Sequence, residues 1–307
     1  MYKPAPYKGG HQTRVLIDRR AALGDLVMIT PVLREMRKRY PEAWIQVVTD
    51  EPGILKNNPH VSSVLLPADM QKTDPWDVYV NLNDAYEKQV TSHYVDSYLH
   101  RAFGTNIDTI DHSPEMFPTQ EEKEAVDEAI AEIGSDYIVV HMRRWAWENK
   151  NIDIEIWSAL FTRLQTKYPG VKIVAVGAKY DFTVPPEPAK FINLVDQLTV
   201  GEIQYLISHA RAFVGPDSGP FHIAGTTTTP IVALISHLLP EQILPWRGGE
   251  FGKDITVVLS DVPCTGCYAR QKPPVNNLTC ENETQWACSK SFDNLKIFNA
   301  LEAILDK

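Results

Sequence analysis

The chain has 307 residues, 44% hydrophobic and 22% charged, with a formal net charge of −9. That length accommodates two α/β domains of ordinary size. The acidic balance weighs against nucleic acid as a partner, because such binding faces carry a basic surplus, and no run of about 18 apolar residues is present to span a membrane.

The N-terminal stretch MYKPAPYKGGHQTR is polar and rich in Pro and Gly. It lacks the apolar stretch of a secretory signal, so a flexible lead-in and a cytoplasmic location are expected. Arg14-Val-Leu-Ile-Asp18 then reads as a buried strand, followed by a helix through about Arg39 that Pro31 should kink. Trp44–Val48 is the next strand, and 63–66 and 77–81 are shorter ones. Residues 119–133 form a charged amphipathic helix with Thr119 as N-cap. After Gly134-Ser-Asp the alternation restarts, with strands at 137–141, 172–176, 212–214 and 231–235 and helices at 153–168 and 200–210. A strand at 255–259 and a terminal helix at 291–305 complete the pattern. Alternating strands and helices call for parallel sheets covered on both faces. The fold class is therefore α/β, with two doubly wound domains facing a central cleft, where such sheets bind ligands.

Two stretches carry chemistry. Residues 215–226, GPDSGPFHIAGT, leave a strand and open a helix. Gly215 and Gly219 permit close backbone approach, Pro220 suits a first helical turn, and Asp217 or Ser218 can cap. Free N–H groups at such a helix start suit phosphate, with His222 in the first turn turned toward the ligand. The same residues also make a capped turn with a core histidine. Near the first strand, Ala22-Leu-Gly-Asp-Leu26 places Gly24 at a turn and Asp25 at a helix start. Asp25 is either a favourable helix-start residue or a carboxylate at the cleft mouth, able to take a proton from a hydroxyl. Arg143 and Arg144, in RRWAWENK, either contact phosphate or acceptor or belong to a solvated loop; His141 before them reads as structural. The basic cluster Met36–Tyr40 suits the end of a helix, with peripheral membrane contact as the other reading.

All four cysteines fall in one short segment, as Cys264-x2-Cys267, Cys280 and Cys288. In a cytosolic chain this spacing favours a metal over disulfides, and four thiolates suit structural zinc or iron. Four reduced, unligated thiols are the other reading.

Together, ALGDLVMITPVLREMRKRYPEAWIQVVTD and NLVDQLTVGEIQYLISHARAFVGPDSGPFHIAG resemble the ADP-heptose:lipopolysaccharide heptosyltransferases of glycosyltransferase family 9. NKNIDIEIW, residues 149–157, resembles that family's Lys-x-aromatic-Pro-x-x-x-Trp segment, with Ile152 and Asp153 replacing the aromatic and Pro. The resemblance implies a GT-B fold and inverting sugar transfer without a catalytic metal. It implies Asp25 as the base on the acceptor hydroxyl and Lys150 on the donor diphosphate. Asp217, Ser218, Gly219 and His222 match the donor loop, and Asp181 matches an acidic residue on the ribose. Related heptosyltransferases carry a similar cysteine cluster. The implied layout is an acceptor domain at 1–134 and a donor domain at 135–290, including the cysteine segment 264–288. A terminal helix at 291–307 is then free to pack back on the first domain. The implied partners are an ADP-linked sugar and a glycan or lipid-linked acceptor at the inner face of the cytoplasmic membrane. Other readings on the same fold are transfer to a protein or a modified DNA base, a sugar-nucleotide isomerase or hydrolase, and a nucleotide-sugar binding module.

Overall fold

The computed structural model describes residues 12–72, 75–144, 147–179, 181, 190–273, 279–280 and 282–307, without the side chains of 71 and 72. The lead-in at 1–11, residues 145 and 146 of the RRWAWENK tract and the proline-containing stretch 274–278 lie outside them.

The first sheet has four parallel strands in the order β3-β2-β1-β4: β1 Arg14–Asp18, β2 Trp44–Val48, β3 Ser63–Leu65 and β4 Val78–Asn81. Its central strand, RVLID, is apolar on both faces because helices cover both. Helix α1 (Leu23–Met28) follows β1 and breaks at Ile29; α2 (Thr30–Arg39) restarts with Pro31 in its first turn. Pro31 therefore begins a new helix rather than kinking a continuous one, since its missing N–H is harmless there. Helix α3 (Tyr94–Phe103) was not expected from the sequence. His93 caps it: Nδ1 accepts from the Val95 N–H at 3.2 Å, and Nε2 lies 3.1 Å from the Leu244 carbonyl, to which it donates.

Helix α4 (Gln120–Ile133) has Thr119 as N-cap, closed by a reciprocal bond from the Thr119 N–H to Glu122. Six parallel strands form the second sheet, in the order β12-β9-β8-β5-β6-β7. They are β5 Tyr137–Val140, β6 Lys172–Ala175, β7 Phe191–Asn193, β8 Phe213–Pro216, β9 Ile231–Ile235 and β12 Ile255–Leu259. The hairpin strands β10 (Trp246–Arg247) and β11 (Glu250–Phe251) pair with each other. The helices of this part are α5 Ile154–Lys167, α6 Val200–Ser208, α7 Gly219–Gly225, α8 Pro240–Ile243 and α9 Asn294–Leu305.

Period-two alternation divides the second sheet's side chains. Ile138, Val140, Val214, Val232 and Leu234 pack with α5 and α9. Val139, Phe213, Ile231 and Ala233 face the other way, into a core continuous with Val15, Ile17 and Tyr98 of the first half. Two expectations about organisation change. Helix α4 packs on α6, and Thr199 Oγ1 donates to Glu122 at 2.9 Å, so α4 sits with the second sheet rather than the first. The terminal helix packs on α5, β9 and β12 instead of returning to the first half, because its apolar stripe of Ile297, Ala300, Leu301 and Leu305 meets the outer face of the second sheet. Among the described residues no helix is long and apolar enough to cross a membrane.

Candidate functional site

Asp25 sits in the first turn of α1 and is 7% exposed. Its Oδ2 accepts the Ala22 N–H at 2.8 Å and lies 2.9 Å from Arg19 Nη2; its Oδ1 accepts the Tyr98 hydroxyl at 2.6 Å. Arg19 is itself buried, 5% exposed, and lies over the rings of Tyr86 and Tyr98 with Glu87 at 3.7 Å. Burial pulls the guanidinium pKa down, but Asp25, Tyr98, Tyr86 and Glu87 together outweigh it and the net shift is upward. The Tyr98 phenol is pushed well above its ordinary value by burial and by the Asp25 charge. Neither Arg19 nor Tyr98 stood out in the sequence. Arg19 ends a strand beside a second arginine, and Tyr98 lies on the helix that was not anticipated.

The second loop differs in detail from the expected turn. Strand β8 runs through Pro216, so Gly215 is a strand residue. A Cβ there would meet the Phe213 ring at 3.0 Å, so this glycine serves packing. Ser218 is the N-cap of α7: its Oγ accepts from the Phe221 N–H at 3.4 Å. Asp217 is buried between two partners, with His222 Nε2 at 3.0 Å from Oδ1 and Lys150 Nζ at 2.5 Å from Oδ2. Burial alone would raise this carboxyl, but Lys150 and His222 hold it well below the usual carboxylate range. The His222 imidazole thus meets Asp217 through Nε2. Lys150 ends the short turn Glu148–Lys150, with its ammonium 5.4 Å from the Trp147 ring centre.

The two motifs meet. A Cβ on Gly24 would stand 2.8 Å from His222 Cδ2, and one on Gly219 would collide with Leu23. Both glycines are thus required for close contact between α1 and α7, which is a stronger constraint than turn geometry. The contact brings Asp25, from the first half, beside the Asp217–His222–Lys150 string from the second.

Asp181 accepts three hydrogen bonds. Oδ2 accepts from the Ala178 N–H at 2.8 Å and from His141 Nε2 at 3.0 Å, and Oδ1 accepts from the Arg144 N–H at 2.9 Å. Burial raises this carboxyl, but the His141 bond and the backbone N–H groups leave it below its ordinary value. A carboxylate only accepts, so His141 Nε2 carries a proton, and the other ring nitrogen, Nδ1, lies 2.8 Å from Ser218 Oγ. His141 thereby links Asp181 to the loop at 215–226. Arg143 bonds the Trp147 carbonyl at 3.0 Å and Asn151 Oδ1 at 2.6 Å, which clamps the turn carrying Lys150. Arg144 is exposed.

All four cysteines line one cavity of about 20 Å³, together with Asn149, Ser236, His237, Asn282, Trp286 and Ala287. Asn282 Nδ2 donates to Cys264 Sγ at 3.6 Å, the Trp286 N–H donates to Cys280 Sγ at 3.4 Å, and Cys288 Sγ lies 3.9 Å from the Asn149 carbonyl. Burial and the neighbouring sulfurs push the Cys288 thiol up to about 11. Among the described residues no three His, Cys, Asp or Glu side chains form a group that could hold a metal ion. The four sulfurs share a cavity wall without forming such a group, and those of Cys264, Cys280 and Cys288 each meet a protein donor or acceptor.

The sequence matches Glycosyltransferase family 9 (heptosyltransferase) over residues 72–276. It is 23% identical to lipopolysaccharide heptosyltransferase 3 of Escherichia coli, over 69% of this chain and 80% of that protein. The fold is similar to that of the iron-containing dodecameric glycosyltransferase TibC of enterotoxigenic E. coli. That likeness has a TM-score of 0.70 and 14% identity, over 96% of this chain and 76% of that one. It is also similar to E. coli ADP-heptose lps heptosyltransferase II, with a TM-score of 0.69 and 15% identity, over 95% and 98%. Two parallel sheets whose loops meet face to face are the GT-B arrangement of these enzymes. On the family match, which spans more than half of its length, the chain belongs to glycosyltransferase family 9 and is a glycosyltransferase.

Proposed function

We propose that this enzyme transfers heptose from an ADP-linked donor to a hydroxyl of a lipopolysaccharide-core or related lipid-linked glycan, with inversion and with no metal in the chemical step. The first half takes the acceptor and the second the donor, at the cytoplasmic face of the inner membrane. The observation that carries this reading is the direct contact of α1 and α7, which packs the helix that carries Asp25 against the loop whose Asp217 holds Lys150.

In a single displacement the acceptor oxygen attacks the anomeric carbon as the bond to the diphosphate breaks. ADP leaves with the bonding pair, and the hydroxyl proton goes to Asp25. A carboxylate offers about four acceptor positions. Three on Asp25 are taken by Ala22, Arg19 and Tyr98, which leaves one for the acceptor hydroxyl. Charge grows on the departing diphosphate, and a preorganised lysine with backbone N–H groups stabilises it. Lys150 supplies the cation, and the Ser218–Gly219 backbone supplies N–H groups. On donor binding Lys150 exchanges part of its contact with Asp217 for phosphate. Asp181, Arg143 and His141 hold this loop and turn in place. The cysteine segment is structural in this reading. For zinc or iron to be held there the thiols must close in on the cavity, and the metal content of the purified protein measures that directly.

The test is calorimetric titration with ADP in metal-chelating buffer, alongside product analysis with ADP-heptose. ADP should bind without added metal. Lys150→Ala should weaken it by about tenfold or more, the value of a charge-assisted contact. Binding of UDP or GDP in place of ADP would sink the donor assignment.

A further inference from the structure

Strand β12 (Ile255–Leu259, ITVVL) ends the second sheet, and among the described residues its one ladder is the parallel pairing with β9. That ladder fixes which way its backbone points. The Asp254 carbonyl accepts from the Ile231 N–H at 3.0 Å, and the Ser260 N–H donates to the Ile235 carbonyl at 3.0 Å, so the even-numbered residues face β9. Ile255, Val257 and Leu259 therefore turn their N–H and C=O groups to the outer edge. The Ile255 N–H bends back to the Gly252 carbonyl at 3.2 Å; the other five outward groups have no hydrogen-bond partner among the described residues. An open groove of about 900 Å³ runs along this edge, lined by residues 256–262 and by Lys296, Asn299 and Ala300 of α9. Leu259 is 41% exposed there. A row of open N–H and C=O groups is a template for another strand, so edges are usually blunted by a charge, a proline or a bulge. ITVVL has no charge and no proline, and its register with β9 runs without a bulge.

We propose that β12 is a self-association edge: two copies of this chain pair antiparallel through it, about a two-fold axis at Val257, and join their second sheets into one. The pattern favours a second copy because the strand is complementary to itself. Only odd-numbered residues offer backbone groups, so odd positions must stand opposite one another. About Val257, that residue faces its own copy and Ile255 faces Leu259. The two Val257 N–H groups donate to each other's carbonyls, and each Leu259 N–H donates to the other copy's Ile255 carbonyl. Four of the five open groups on each chain are thereby used. An axis at Val258 makes as many bonds but sets Ile255 against Asp261. The Val257 axis instead sets Lys253 against Asp261, two half-exposed side chains at opposite ends of the strand. Within the chain they pair only with exposed groups, Glu250 at 2.6 Å and Lys296 at 2.7 Å, contacts that contribute little in water. The donor-type loop follows β8, two strands inside this edge, so the pairing leaves the cleft open and is independent of the reading given above.

Sedimentation velocity of the full chain from about 1 to 100 μM tests this. A species of twice the chain's 34.7 kDa is expected to fill in with concentration. Val257→Pro should leave a monomer: its ring removes an outward N–H and no bond to β9, so the melting temperature should stay close to wild type. Lys253→Asp sets two like-charged pairs across the axis and should raise the dimer dissociation constant about tenfold. Adding Asp261→Lys should bring it back to within about twofold of wild type. A monomer at every concentration overturns the proposal, and so does a dimer that Val257→Pro leaves intact. If Val257→Pro does not fold, the charge reversal decides alone: a double variant no tighter than Lys253→Asp overturns the pairing about Val257.

Discussion

At the scale of the residue, the site is organised by two buried carboxylates with different partners. Asp25 has an arginine, a phenol and a backbone N–H; Asp217 has a lysine and a histidine. In the proposed reaction only the first takes a proton. Asp25→Ala should therefore lower turnover by about a hundredfold or more, the range of a lost general base. ADP affinity, which does not involve that carboxylate, should stay within about twofold. Steady-state kinetics with the donor varied checks both, and an unchanged turnover would remove Asp25 from the mechanism. The candidate residues could be found in the sequence because Gly, Asp, Ser and His at a strand–helix junction form a recognisable local pattern. Their partners could not. Tyr98 reaches Asp25 from α3, 73 residues along the chain, and no local pattern records a contact so distant; Arg19, just after β1, reads only as one of two adjacent arginines. For the same reason the three acceptor bonds of Asp181, from His141, Arg144 and Ala178, appear only in three dimensions.

At the scale of the element, the contact between α1 and α7 is set by glycine on each side. Gly24→Ala would press a methyl group on His222 Cδ2, and His222 cannot swing away without leaving Asp217. A destabilisation of about 1–3 kcal/mol is expected, as for other overpacked buried sites. Urea unfolding measures it, and a loss of ADP affinity should accompany it because the Asp217–Lys150 pair shares the same packing. Strands and long amphipathic helices were legible from periodicity almost to the residue, as with β2 at Trp44–Val48 and α4 after Thr119. Helix α3 went unread although Tyr94, Val95, Tyr98 and Leu99 keep a helical spacing, because its N-cap is a histidine rather than the usual Ser, Thr, Asp or Asn. The placement of α4 was not legible either, since a helix between two sheets carries the same pattern whichever one it covers.

At the scale of the whole molecule, His93 ties α3 of the first half to Leu244 of the second. Burial lowers its pKa from 6.5 to about 4. Between those values the unfolded chain binds the proton and the folded chain does not. This group's stabilisation is thus complete above about 6.5 and is lost as the pH falls toward 4. The slope from one such group approaches about 1.4 kcal/mol per pH unit. Melting temperature should fall over that window, and His93→Gln should flatten the slope. An unchanged slope would mean that other groups, such as the buried His237, carry the acid sensitivity.

The paired glycines also bear on how such enzymes diversify. Leu23 fills the space left by Gly219, and His222 the space left by Gly24, so each half carries the mould of the other. A chimera that takes its first half from a relative would inherit a knob without its socket unless both stretches travelled together. The two motifs, though Gly24 and Gly219 stand 195 residues apart, are in this respect a single heritable unit. New acceptor preferences are accordingly easier to reach through loops away from this seam than by exchanging whole halves across it.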